Sequence, residues 1–100
     1  MKLLTEAIKK ALPSLDQQDG LALEAVAYAK FFTPDANWTW YATEYSPTEG
    51  LFFGLVDGFE QELGYFSLSE LESIKGSMGL PVERDTSFKP TKLSELKESR

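Results

Sequence analysis

The sequence contains neither cysteine nor histidine. Their absence removes disulfides, thiolate and imidazole nucleophiles, and the usual ligands of zinc and other transition metals. Ser-His-Asp and Cys-His catalysis are excluded. Any chemistry would have to run on carboxylates, Tyr, Lys or Arg, with an oxygen-liganded cation as the remaining metal option. No apolar run approaches the roughly 20 residues that cross a bilayer. The opening MKLLTEAIKKALPSL carries Glu6, Lys9 and Lys10 too early for an apolar secretory core, so a cytoplasmic protein without membrane association is expected. A glycine-rich phosphate loop is also missing: Gly76, Gly79 and the glycines between the strands have neither Rossmann nor P-loop spacing.

Positive charge is absent from the middle of the chain. No Lys or Arg lies between Lys30 and Lys75, a stretch that holds Asp35, Glu44, Glu49, Asp57, Glu60, Glu62, Glu70 and Glu72. The net charge of −6 disfavours a phosphate-binding surface and hence direct nucleic-acid binding. If the middle of the chain forms one sheet, that sheet and its turns present carboxylates, either as a solvated surface or as a patch for a partner.

One hundred residues are read as a single domain spanning 1–100. The patterning predicts an α+β fold. An antiparallel meander of three to four strands runs over about 25–32, 38–45, 51–56 and 62–66. It packs with short helices over about 5–12, 68–75 and 92–98. Thr5 is placed to cap the first helix and Pro13 to end it. Residues 21–32 fit either helix or strand, and the reading adopted is the strand. Ser67 and Glu70 have capping-box spacing, Phe66 and Leu71 sit at the positions of a hydrophobic staple, and Gly76 is the expected helix stop. Val82–Arg84 reads as a short extended piece. Leu-Ser-Glu-Leu occurs at 68–71 and again at 93–96, as two similar helix starts.

Simple hairpins fix a register: Tyr45 opposite Leu51, Val56 opposite Glu62, and Phe32 opposite Trp38. Both sheet faces are then largely apolar, so helices must cover at least one of them. Ala42, Gly54 and Gly64 fall in one row of small residues. Trp40 and Val56 flank this row on one side, Phe52 and Phe66 on the other, with Glu44 and Glu62 at the corners. Such a row is either filled by a helix or forms a trough for an extended peptide or a flat ligand. The candidate binding residues are accordingly Trp40, Glu44, Gly54, Gly64, Arg84 and Asp85, with Arg84 as an anion clamp. The cluster Glu83-Arg84-Asp85 reads first as structural ion pairs. No catalytic residue, metal ligand or cofactor is assigned.

The motifs WTWYATEY, LFFGLV, ELGYFSLSELE, GLPVERD and the closing F-x-P-x-x-LSEL (Phe88, Pro90, Leu93–Leu96) resemble domain of unknown function 2958, over about Leu12 to Leu96. The resemblance implies a small bacterial domain of plasmids, phages and integrative elements, and it carries no catalytic or binding role onto these positions. The expectation for function is a non-enzymatic interaction module that binds a protein partner through an acidic and aromatic surface. Alternatives are a small-molecule or nucleotide-binding domain using the Trp40–Gly54–Gly64 trough, an antirestriction-type DNA mimic, and an enzyme with Glu44 or Asp85 as base. An uncovered edge strand or sheet face would invite a homodimer.

Overall fold

The computed structural model describes residues 1–18 and 20–97. The β-branched and aromatic runs TWYATEYS and LFFGLVD become β3 (Thr39–Ser46) and β4 (Leu51–Asp57), at the centre of a five-stranded antiparallel sheet. β5 (Gln61–Ser67) lies outside β4, and β2 (Ala29–Phe32) outside β3. The meander therefore holds in its expected order. Its other edge gains a fifth strand, β6 (Glu83–Arg84), which pairs with β2 at the short extended piece read from the sequence. The expected first strand divides at Tyr28. Its start, β1 (Val26–Ala27), leaves the sheet and pairs with β7 (Thr91–Lys92) near the end of the chain.

The register differs from simple hairpins where β3 bulges at Thr43. Ala42 pairs with Gly54, but the next paired residue, Glu44, stands opposite Phe53. One extra residue flips every side chain beyond it to the other face. Tyr45 consequently pairs with Phe52 rather than Leu51. Phe32 pairs with Thr39 rather than Trp38 for a separate reason, the β2–β3 turn, in which Thr33 N donates to Trp38 O. Val56 stands opposite Glu62 as expected, and Ala42, Gly54 and Gly64 do form one row, because they lie on the near side of the bulge. The bulge is held by side chains distant in sequence. Gln18 Nε2 donates to Thr43 O at 2.8 Å and to Val26 O at 3.0 Å, while Gln18 Oε1 accepts from Val26 N at 2.7 Å. One amide thus satisfies the backbone groups that β1 and the bulge leave without ladder partners.

Each face has its own core. On the first, Phe31, Trp40, Ala42, Tyr45, Phe52 and Phe66 pack with Leu3, Leu4, Leu12, Leu71 and Val82. Ile8 of α1 (Glu6–Ala11) and Leu68 of α2 (Leu68–Ser73) pack against this cluster. Thr5 Oγ1 accepts the N–H of Ile8, and the Ser67–Glu70 capping box forms at the start of α2. Gly76 is not the helix stop: α2 ends where Ile74 turns extended. On the second face Tyr41 and Leu55 are covered by Ala25, Ala27 and Leu93, with Phe88 and Leu96 alongside. Leu93 opens α3 (Leu93–Lys97), the second of the two Leu-Ser-Glu-Leu helix starts; residue 98 of the expected helix lies outside the described residues.

Candidate functional site

The structure separates the residues that the sequence grouped. Trp40, Ala42 and Gly54 are buried, and the first face is covered there by the chain's own N-terminal segment and α1. The centre of the expected trough is occupied. A Cβ on Gly54 would lie 1.8 Å from the carbonyl oxygen of Tyr41, so this glycine serves close strand approach. Gly64, next in the row, is half-exposed with open space where its Cβ would stand.

Glu44 is not a corner of the trough, because the Thr43 bulge carries it to the opposite face. It is buried there, and its two carboxylate oxygens accept the backbone N–H groups of Asp16 and Gln18. Arg84 is turned towards the N-terminus: its guanidinium donates to Lys2 O and Leu3 O, and its N–H points to Met1 Sδ. Asp85 lies 3.6 Å from Lys30 Nζ and accepts the N–H of Ser87. These contacts give Arg84 and Asp85 fold-holding roles. Of the six predicted positions, neighbouring Arg84 and Asp85 share a concavity of about 610 Å³ that also includes Lys30 and Trp38.

What stays open on the first face is the end of the sheet beyond the cover of α1. Trp38 stacks on Trp40 with ring centroids 6.0 Å apart, and Phe59 meets it edge-on at 5.5 Å and 80°. Phe59 sits in the β4–β5 turn and is 90% exposed. The turn can bring it there because Gly58 has no side chain: a Cβ at that position would lie 2.4 Å from the indole ring. Trp38, Val56, Phe59, Glu60 and Glu62 line a concavity of about 230 Å³. Across the indole, Trp38 also borders a second hollow of about 320 Å³, with Ala36, Ile74 and Lys75. This half-buried tryptophan therefore joins three concave surfaces.

The far wall of that second hollow is fixed by Asp35. Its Oδ2 accepts the N–H groups of Met78 at 2.7 Å and Leu80 at 3.3 Å, and its carbonyl accepts from Ser77 Oγ. Gly76 makes room for this carboxyl group, since a Cβ there would overlap the Asp35 side chain. Met78 and Leu80 are thereby held on the surface.

An apolar surface with two flanking carboxylates can grip an apolar stem bearing a cation, through ring faces and opposite charge. Among the described residues, no group of three or more Asp or Glu side chains is arranged to hold a metal ion. Burial raises the pKa of Tyr41, with Asp57 and Asp85 adding to the effect. That keeps the phenol neutral and disfavours it as a nucleophile or base. Sequence reasoning missed Gln18, Asp35 and Phe59. For Phe59 a signal existed, a large apolar residue directly after Asp-Gly in a turn.

The five-stranded antiparallel sheet with its short helices makes this an α+β fold. Residues 3–98 match the family model described as Protein of unknown function (DUF2958), and the chain belongs to that family. No curated protein and no solved structure matches it. No described helix is long and apolar enough to cross a membrane.

Proposed function

We propose that this domain is a non-enzymatic interaction module that docks a protein partner on the Trp38–Phe59 corner, acting in the cytoplasm and in the bacterial, mobile-element setting that its family resemblance implies. The observation that carries the reading is Phe59, a fully presented aromatic ring braced edge-on against a half-buried tryptophan. A rigid aromatic anchor beside a concavity is the usual nucleus of a protein interface. Glu60 and Glu62 at its rim favour a partner that brings an Arg or Lys side chain. DNA mimicry is less well supported, because Glu44, Asp35 and Glu70 are engaged in internal hydrogen bonds and do not form an ordered surface array.

The test is photo-crosslinking in the cells that carry the gene, with a benzophenone amino acid at position 59 and, as control, at exposed Ser73. The expected result is a discrete protein adduct from position 59 alone that disappears in Glu60→Lys/Glu62→Lys. Equal, diffuse labelling from both positions would contradict the proposal.

A further inference from the structure

The two edges of the five-stranded sheet are treated differently. The β6 edge is blunted: it is two residues long, it is Glu-Arg, and Arg84 is tied to the N-terminal segment. Short, charged edges resist strand addition. The β5 edge has no such guard. It runs for seven residues in unbroken register with β4, contains no Pro, Lys or Arg, and pairs with nothing on its outer side among the described residues. Leu63 and Tyr65 are 42% and 59% exposed on it.

The orientation of its backbone follows from the two ends of the hairpin. Gly58 N donates to Glu60 O, and Leu68 N donates to Gly50 O. Antiparallel pairs alternate, so the even-numbered residues of β5 turn their hydrogen-bonding groups towards β4. Gln61, Leu63 and Tyr65 turn theirs outward. Ser67 would do the same, but its N–H is already taken by Glu70 Oε1.

We propose that β5 is a self-association edge, which pairs antiparallel with β5 of a second copy about a two-fold axis through Gly64 to make a continuous ten-stranded sheet. This edge borders the Trp38–Phe59 corner at Glu62, but the proposal does not depend on that reading. A second copy is the occupant because this register makes the strand complementary to itself. Leu63 falls opposite Tyr65 of the second copy, twice over, with outward backbone groups facing outward backbone groups. Both side chains lie on the same face as Phe53, whose ring meets Tyr65 at 4.9 Å, so one apolar patch continues across the axis. Glu62, the only charged residue of the strand, falls opposite Phe66 of the second copy. The two Glu62 carboxylates then stand roughly 13 Å apart along the strands, beyond the Debye length of about 8 Å at physiological salt. Gly64 puts no side chain at the axis.

Sedimentation equilibrium of the full chain tests this with two double variants at exposed positions. Wild type is expected to be a reversible dimer. Leu63→Lys/Tyr65→Lys places Lys opposite Lys at both crossings and should weaken the dimer by about tenfold or more. Leu63→Lys/Tyr65→Glu places Lys opposite Glu in this register and should keep it within a few-fold of wild type. A register centred on Leu63 would instead set Lys against Lys in the second variant and reverse that rescue. Thermal melts at low concentration confirm that each variant folds. A wild-type chain that stays monomeric at all concentrations, dimers indifferent to both variants, or a failed Lys/Glu rescue would each overturn the proposal.

Discussion

Glu44 receives the backbone N–H of Gln18 on one carboxylate oxygen and that of Asp16, at 3.1 Å, on the other. A buried carboxylate from the middle of the sheet thus fixes a loop 26 residues earlier in the chain. Both oxygens act as acceptors, so the isosteric amide cannot replace them: its NH₂ would meet an N–H. Glu44→Gln is expected to destabilise the protein by about 1–3 kcal/mol, the range for leaving a buried donor unsatisfied. Urea unfolding measures it, and an unchanged midpoint would refute the assignment.

Gln18 itself is expected to be irreplaceable by its acid. A carboxylate in its place could still accept from Val26 N but could not donate to Val26 O and Thr43 O. Gln18→Glu should lower stability at neutral pH by roughly 2–3 kcal/mol, as two carbonyls lose their donors. Denaturant titration reads the loss. Amide shifts confined to Val26, Thr43 and their neighbours would locate it at the bulge.

Two glycines that face each other across the β4–β5 ladder should behave in opposite ways. A Cβ on Gly54 runs into the backbone of Tyr41, which cannot rotate away, whereas one on Gly64 meets nothing within 4 Å. Gly54→Ala is expected to cost about 3 kcal/mol or more, at the upper end for overpacking. Gly64→Ala should stay within about 0.5 kcal/mol of wild type. Paired thermal melts decide it, and similar midpoints would contradict the strand spacing.

Tyr41 predicts an alkaline limit to stability. Burial raises its folded pKa above the ordinary value of 10.0, with Asp57 and Asp85 disfavouring the phenolate further. Between the unfolded and folded values the native state holds a proton that the unfolded chain has released. The contribution is therefore complete below about pH 10 and is lost as pH rises through the folded value. Tyr41→Phe should flatten that fall. Urea midpoints of both chains across the alkaline range check the slope.

The elements most legible in the sequence were those with local physical causes. The Ser67–Glu70 capping box, the aromatic runs of β3 and β4, and the Ala42–Gly54–Gly64 row all follow from short-range spacing. The bulge at Thr43 does not, because it is stabilised by Gln18 from a loop whose composition carries no hint of its partner. That one residue decided the fate of Glu44, which left the expected site for the opposite face. The trough failed for a different reason: the sequence showed that a face needed covering but not that Leu3, Leu4 and α1 would cover its centre and leave the Trp38 end bare. β6 and the departure of β1 to β7 depend on pairings across more than fifty residues, which periodicity cannot express.

Phe59 is the residue on which the functional reading turns. At 90% exposure it contributes little to the core, so Phe59→Ala should leave the melting temperature within about a degree or two, as expected for a surface change. As the anchor of the docking surface, its truncation should weaken binding to the protein captured at position 59 by about tenfold or more. Calorimetric titration of that partner into wild type and Phe59→Ala is the most direct measurement. Weakened binding with an unchanged melt is the predicted result, and equal affinity in the two proteins would contradict the account.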